Sequence, residues 1–346
     1  MPNDKKQSKE KFLKSDMDEK PLDRNAIIKR MECTSNLSSL SLLGVCVYTV
    51  PDVFELVAKF CRNLTTVSIE VVENTDLDKF SLFTSGCDKV RHFEIIDRLH
   101  RFKNEHLLLV LSSPWSLTSL KLIGTAVTKA SLTMLPNSLE SLDIRSCKYL
   151  TVHAFNILRT RCPNLKSLKT SISFDQSKLD DFTFHWPRLE SCIISTSQLL
   201  TFRKFCLLKE LFLHCSAENV SINSILSELP QIRKLQLKIS SAKDEVLYFD
   251  NNLKILIIDS DRPLAHNVIL SLPYCAHLEC LKIFGTDVGL VIRELLEKCG
   301  LLRYIYAPET TLDKYEFEKL TKIYRSRTIV VDIVVKDYPV SADEQK

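Results

Sequence analysis

The sequence predicts an α/β solenoid in which about twelve strand–helix repeats stack into a curved horseshoe. Three observations support this fold class: a short aliphatic phrase recurs, an apolar helical segment follows most copies, and proline lies at many helix ends. In the phrase, an aliphatic residue is followed by two free positions, a second aliphatic, one free position and a third aliphatic. Copies run from Leu37 to Leu302, with a mean step of about 24 residues.

The aliphatic phrase predicts the strand half of each repeat, because alternate residues of a strand point to the same side. The clearest copies are Leu37-Leu40-Leu42, Leu117-Leu120-Leu122, Leu139-Leu142-Ile144, Leu208-Leu211-Leu213, Ile232-Leu235-Leu237, Leu253-Leu256-Ile258 and Leu278-Leu281-Ile283. A period in the twenties with this spacing is the leucine-rich-repeat signature. We therefore expect a leucine-rich-repeat solenoid with a parallel sheet on the concave face and helices on the convex face.

The helical half of each repeat follows its strand and shows apolar residues three and four apart, as in Val53, Phe54 and Val57. Proline then prevents the helix from continuing, as at Cys162-Pro163 and Leu229-Pro230. Eight residues after the first aliphatic, a small polar side chain is expected to bond neighbouring loop amides. Nine repeats carry such a residue: Thr125, Cys147, Ser173, Ser197, Ser216, Ser240, Asp261, Thr286 and Thr310.

Four segments are expected along the chain. Residues 1–30 form a charged tail with little apolar content, which predicts disorder. Residues 31–311 form the solenoid. Residues 312–338 read as a helix followed by an apolar strand, which would cap the end of the sheet. Residues 339–346 form a polar tail.

Charge and hydropathy narrow the classes of partner. The net charge is +4, and nine basic against six acidic residues in positions 1–30 account for most of it. A nearly neutral body predicts no nucleic-acid binding, since affinity for phosphates scales with clustered cations. No uninterrupted apolar run approaches about 18 residues, so no membrane association is expected. The polar amino end does not resemble a secretory signal, which predicts a cytoplasmic or nuclear protein.

The twelve cysteines and eight histidines predict neither a metal site nor catalysis. No Cys-x-x-Cys pair occurs, and several thiols lie three residues before a first aliphatic, where they would act as small buried hydrophobes. No phosphate-binding glycine loop is present. His92 and Glu94 share a predicted strand, and we interpret this pair as a solvated surface contact and not as a general acid–base couple. We expect a non-enzyme with no cofactor, no metal and no catalytic residue.

Two features resemble the cysteine-containing repeats of F-box/leucine-rich-repeat proteins: the turn at Cys147 and the segment Cys162-Pro163-Asn164-Leu165-Lys166-Ser167-Leu168. The resemblance covers residues 33–335. It implies that the repeats hold a substrate while an F-box docks Skp1 within a cullin ubiquitin ligase. The residues before the first repeat lack the Leu-Pro start and paired amphipathic helices of an F-box, and Lys20–Ile28 is at best a remnant.

Free positions of the phrase predict a partner-binding surface on the concave face. Its apolar core would be Phe212, Ile257, Phe284, Tyr304 and Tyr306, because exposed aromatic clusters mark recognition surfaces. Lys234, Lys238 and Lys282 would form a rim suited to an acidic segment, with His214 and Ile255 alongside. Two alternatives remain open: a one-residue register shift would place these residues in the core, or the cap would cover Tyr304 and Tyr306.

These patterns predict a non-catalytic protein-recognition module. By resemblance, it would be the substrate-binding or adaptor subunit of an SCF-type ubiquitin ligase. The alternative is a stand-alone intracellular scaffold or inhibitor that binds a single protein without any ligase. A secreted receptor fragment is a third possibility, disfavoured by the polar amino end and the unpaired pattern of thiols.

Overall fold

A computed structural model describes residues 25, 29, 37–42, 53–73, 75–174, 186–196, 207–248 and 252–334. The chain divides into two compact units. Unit 1 comprises residues 1–173 and 177–189, and unit 2 comprises residues 174–176 and 190–346. The predicted tail 339–346 lies outside the described residues, as does the tail 1–30 apart from Asn25 and Lys29.

Unit 1 consists of strands and helices in alternation. Its strands are β1 (Ser39–Leu42), β2 (Thr66–Glu70), β3 (His92–Ile96), β4 (Ser119–Ile123), β5 (Ser141–Ile144) and β6 (Ser167–Phe174). Its helices are α1 (Val53–Phe60), α2 (Phe80–Gly86), α3 (Asn104–Ser112), α4 (Lys129–Leu132) and α5 (Ala154–Arg161), with a 3-10 turn at Leu77–Lys79. Within unit 1, each strand from β1 to β5 pairs in parallel with the one that follows it.

Unit 2 repeats the same arrangement. Its strands are β7 (Ser191–Thr196), β8 (Glu210–Cys215), β9 (Lys234–Ile239), β10 (Ile255–Ser260), β11 (Cys280–Phe284), β12 (Tyr304–Asp313) and β13 (Thr328–Val334). Its helices are α6 (Ile222–Glu228), α7 (His266–Ser271), α8 (Ile292–Lys298) and α9 (Lys314–Ile323), with 3-10 turns at Leu272–Tyr274 and Gly289–Val291. Successive strands from β7 to β13 again pair in parallel.

The three aliphatic residues of the phrase form the core, as the sequence predicts. In β8 and the residues before it, Leu208, Leu211 and Leu213 are all buried, and the equivalent residues of β10 are buried too. A sheet that packs against helices on one face buries every second residue of each strand, because successive side chains point to opposite faces. In unit 1 the core also contains an aromatic cluster, whose members are Phe54, Phe80, Phe83, Phe93, Phe102 and Trp115.

The predicted turn residues bond neighbouring loops in several repeats. The hydroxyl of Thr286 accepts from the Leu264 amide at 3.0 Å, and that of Thr310 accepts from the Val288 amide at 2.9 Å. Both hydroxyls are buried, so they satisfy amides that water cannot reach. In the third repeat Asp97 takes this role, one residue before the eighth position. Its buried carboxylate accepts from the Leu99 and Phe102 amides at 3.1 and 2.5 Å.

The cysteines behave as small buried side chains in nearly every described case. Eight of the nine described cysteines are buried, and Cys280 on β11 is the exception. Burial raises the pKa of Cys87 and of Cys162 to about 12, because a thiolate is poorly solvated there. The Cys299 thiol donates to the Pro273 carbonyl at 3.4 Å. The prediction that Cys61, Cys87, Cys162, Cys275 and Cys299 pack inside is confirmed.

The carboxyl-terminal helix begins two residues later than predicted. Leu312 and Asp313 belong to β12, and α9 starts at Lys314. Asp313 is the N-cap, since its carboxylate accepts from the Glu316 amide at 2.7 Å. Strand β13 then lies beside β12 and pairs with it in parallel, with a register shift between Ala307 and Thr311.

Candidate functional site: the open face of unit 2

Strand residues between the buried aliphatics lie on the opposite side of the sheet, which we call the open face. All ten residues predicted to bind a partner lie on the open face of unit 2, on strands β8 to β12. None of them is buried. The alternative of a one-residue register shift is therefore excluded, because it would have placed them in the core.

The strand register arranges this face in three columns that cross the strands. The first column is Glu210, Lys234, Ile255, Cys280 and Tyr304. The central column is Phe212, Gln236, Ile257, Lys282 and Tyr306. The third column is His214, Lys238, Asp259 and Phe284. The three columns thus bring together residues from five repeats on one surface.

Aromatic side chains contact one another at the β11–β12 end of the face. The rings of Phe284 and Tyr306 lie 5.3 Å apart between centroids, tilted by 50°. The Lys282 ammonium lies 5.4 Å from the centroid of Tyr304, within the range of a cation–π contact. Because β13 lies beside β12 in the sheet rather than over it, Tyr304 and Tyr306 stay half-exposed.

The lysines of β9 differ from other lysines in the same unit. Lys209 pairs with Glu190 at 2.7 Å, and Lys254 pairs with Glu279 at 2.6 Å. Within the described residues, the ammonium groups of Lys234 and Lys238 form no ion pair and no hydrogen bond, although Glu210 and Asp259 are their register neighbours. Their ammonium groups are therefore available to a partner.

Four residues of the columns were not among the predicted site residues, and one of them is Gln236 in the central column. Glu210 and Asp259 add carboxylates beside the lysines, and Cys280 adds a half-exposed thiol beside Tyr304. Burial raises the pKa of Cys280, while the positive charges of Lys282 and Lys234 lower it to a smaller extent. The same period of two that located Phe212 and Ile257 could have located these residues.

The open face of unit 1 is polar, and the carboxylates of Glu94 and Asp143 form ion pairs within the unit. The Ser68 hydroxyl donates to Glu94 at 2.8 Å, and the other oxygen of Glu94 lies 3.3 Å from the Lys121 ammonium. On β5, Arg145 holds the buried Asp143 carboxylate through two nitrogens, at 2.8 and 2.9 Å. Glu94 thus pairs with its column neighbours and not with His92, so no acid–base couple forms there.

The described residues were compared with the requirements of a metal site, a ligand pocket and a membrane-spanning helix. Among them, no group of three or more His, Cys, Asp or Glu side chains could hold a metal ion. Two surface pockets of about 490 and 350 Å³ lie in unit 1 and are lined by polar and charged side chains, among them Arg62 and Lys103. None of the described helices combines the length and apolar character needed to cross a bilayer.

Comparison with solved structures identifies the type of fold. The chain is similar to TLR13 in the crystal structure of the TLR13–ssRNA13 complex, with 16% identity and a TM-score of 0.52. The fold that the two chains share is the leucine-rich-repeat fold. The match covers 87% of this chain and 47% of that one, so the chain spans about half the length of TLR13. The predicted α/β class, with one parallel strand per repeat, is confirmed.

A second solved structure is more distant. The chain is similar to the leucine-rich-repeat-containing protein LegL7 from Legionella pneumophila, with 13% identity, a TM-score of 0.36, and coverage of 79% of this chain and 82% of that one. No family model and no curated protein matches the chain. The F-box resemblance therefore stays a prediction.

Proposed function

We propose that the protein is a non-catalytic recognition module and that the open face of unit 2 binds another protein. The observation that carries this proposal is the half-exposed group Phe284, Tyr304 and Tyr306 on a regular sheet surface. Aromatic side chains contribute most of the energy at protein interfaces, because they bury a large apolar area and lose little conformational entropy.

The contrast with unit 1 supports a role beyond folding for these aromatic residues. The open face of unit 1 carries small and charged residues at the same positions, such as Ser41, Ser68 and Lys121. Strands of this fold therefore form without aromatic residues on that face. The aromatic residues on the open face of unit 2 are therefore not needed to form the sheet. Because they are clustered and half-exposed, they fit a binding surface.

The finer proposal concerns the assembly in which the module works. Resemblance of the repeats to F-box/leucine-rich-repeat proteins supports a substrate-binding or adaptor subunit of an SCF-type ubiquitin ligase, with Skp1 and a cullin as further partners. The stand-alone alternative is a scaffold or inhibitor that binds one protein in the cytoplasm or nucleus. The two differ in a measurable way, because only the first carries Skp1 and a cullin with it.

Affinity capture with matched variants tests the proposal. The full chain is tagged, captured from its own cells after nuclease treatment, and compared with the double variant F284A/Y306A. The matched control is Y315A, which removes an aromatic ring that is 75% exposed on α9, away from the open face. Urea unfolding of all three proteins shows whether each is folded.

We expect one or more proteins to be recovered with the wild type and Y315A, and lost with F284A/Y306A. Equal recovery with the folded double variant would contradict the proposal, and recovery that nuclease abolishes would point to a nucleic acid. Skp1 and a cullin among the recovered proteins would support the ligase adaptor. Recovery of a partner without them would support the stand-alone module.

A further inference from the structure

The central column of the open face alternates between apolar and polar residues from strand to strand. Phe212, Ile257 and Tyr306 lie on β8, β10 and β12, whereas Gln236 and Lys282 lie on β9 and β11. All five side chains are half-exposed. A partner that crosses the strands therefore meets an apolar contact at every second strand.

The distance between these apolar contacts matches the heptad spacing of an α-helix. Adjacent strands lie about 4.8 Å apart, so alternate strands lie about 9.6 Å apart. Seven residues of a helix rise about 10.5 Å and return to nearly the same face. An extended segment covers about 9.9 Å in three residues, but its first and fourth side chains point to opposite sides.

The width of the face also fits a helix. Neighbouring columns are two residues apart along each strand, so the three columns span about 13 Å. A helix with its side chains is about 10–12 Å across. It would contact Ile255 and Tyr304 on one flank and Phe284 on the other. A polyproline segment, which has three residues per turn and rises about 9.3 Å per turn, matches the spacing but is too thin to reach both flanks.

Charge adds a second condition on the partner. The strands that interrupt the apolar contacts carry the lysines: Lys234 and Lys238 flank Gln236 on β9, and Lys282 is central on β11. The flanking carboxylates Glu210 and Asp259 lie on the other strands. Acidic side chains placed between the apolar anchors of a partner would therefore face lysines.

We propose that the partner segment is an amphipathic α-helix that lies across β8 to β12. Its apolar anchors at positions i, i+7 and i+14 contact Phe212, Ile257 and Tyr306, in either direction. Acidic residues near i+3 or i+4 and near i+10 or i+11 face β9 and β11. This inference rests on the proposed function, because it specifies the partner of the same face.

A displayed library of helical peptides tests this geometry without knowledge of the natural partner. The probe is an alanine-rich peptide of about six turns, randomised on one face at positions 1, 4, 5, 8, 11, 12 and 15. Full-length wild type, F212A/Y306A and K282E are immobilised in parallel, with Y248A as the control, since Tyr248 is exposed outside the strands.

We expect wild type and Y248A to select apolar residues at 1, 8 and 15 with Asp or Glu between them. F212A/Y306A should lower the enrichment at least about tenfold. Peptides selected on K282E should carry basic instead of acidic residues at only one of the two intervening sites. The inference would be overturned if no peptides are enriched, or if the enriched peptides lack this period or charge pattern. It would also be overturned if both variants enrich peptides as well as the wild type does.

A parallel selection from a library of unstructured and proline-rich peptides separates the helix from thinner segments. Stronger enrichment from that library, still dependent on Tyr306, would overturn the helical partner and leave the proposed function standing. The proposed function itself fails only if the capture of natural partners is independent of Phe284 and Tyr306. The two failures are therefore distinguishable.

Discussion

In unit 1 most of the large aromatic side chains lie in the core, with Phe60 and Tyr149 as exceptions, whereas in unit 2 they lie outside it. Phe80 is fully buried and contacts Phe54, Phe83, Phe93 and Phe102. Among the residues of unit 2 whose burial the structure describes, no Phe, Tyr or Trp is buried, and the core is aliphatic with some cysteines. The same residue type thus stabilises the fold in one unit and is free to bind a partner in the other.

The charged residues show the same division. On the open face of unit 1, Glu94 and Asp143 have cationic partners within the same unit. On the open face of unit 2, Lys234 and Lys238 have none among the described residues. Substitutions of the buried aromatic residues and paired carboxylates of unit 1 should therefore change stability, and substitutions on the open face of unit 2 should change binding.

The largest expected effect is that of Phe80→Ala in unit 1. Removal of this ring leaves a cavity among four other aromatic rings, which should lower the free energy of unfolding by about 3–5 kcal/mol. Phe284→Ala is the matched control, and should cost about 1 kcal/mol because Phe284 is half-exposed and mainly contacts one ring. Urea unfolding measures both, and equal losses would contradict the division between the units.

Asp143→Ala should have the next largest effect on stability. The substitution removes a buried carboxylate that Arg145 holds through two hydrogen bonds, at an expected cost of about 1–3 kcal/mol. Lys169, its register neighbour on β6, forms no ion pair within the described residues, and K169A should change stability by less than about 0.5 kcal/mol. Thermal unfolding of both variants checks this, and a silent D143A would show that the pair contributes nothing.

The double variant K234A/K238A sharpens the comparison on the side of unit 2. Unpaired lysines on a binding face attract an acidic partner, so the association rate should fall about tenfold at low salt with little change in stability. The control is K254A, since Lys254 already pairs with Glu279. Stopped-flow or surface binding with a captured partner measures the rates. An association rate that is unchanged and independent of salt would contradict this role.

The smallest expected effect concerns the thiols. Cys280 is half-exposed, whereas burial raises the pKa of Cys192 to about 12 and keeps it protonated and slow to react. Maleimide at pH 8 should therefore modify Cys280 first among the nine described cysteines. C280S should remove that labelling and change stability by less than about 0.5 kcal/mol. Peptide mapping shows the order of reaction, and early modification of Cys192 would contradict its burial.

Much of the fold follows from periodicity alone. Alternation of buried and exposed residues located the strands and their core residues, because a parallel sheet covered by helices on one face admits no other spacing. The sequence predicts no turn residue for the third repeat, because Arg98 occupies its eighth position, and the hydrogen bonds of Asp97 one residue earlier depend on a local geometry that the spacing does not specify. The start of α9 was misplaced because β12 extends through Leu312.

The candidate site was predictable in position but not in its contacts. The columns follow from alignment of the repeats, which places Phe284 and Tyr306 on one face. The 5.3 Å ring contact between them, and the pairing of Glu94 with Lys121 rather than with His92, depend on side-chain conformations that the sequence does not specify.

Photo-crosslinking from the two open faces tests the central claim most directly. Benzoylphenylalanine is placed at position 284 in unit 2 or at position 169 in unit 1, and the full chain is irradiated in its own cells. We predict discrete crosslinks to another protein from position 284 and none from position 169. Crosslinks from position 169 alone, or from neither position in folded protein, would contradict the claim that unit 2 carries the binding face.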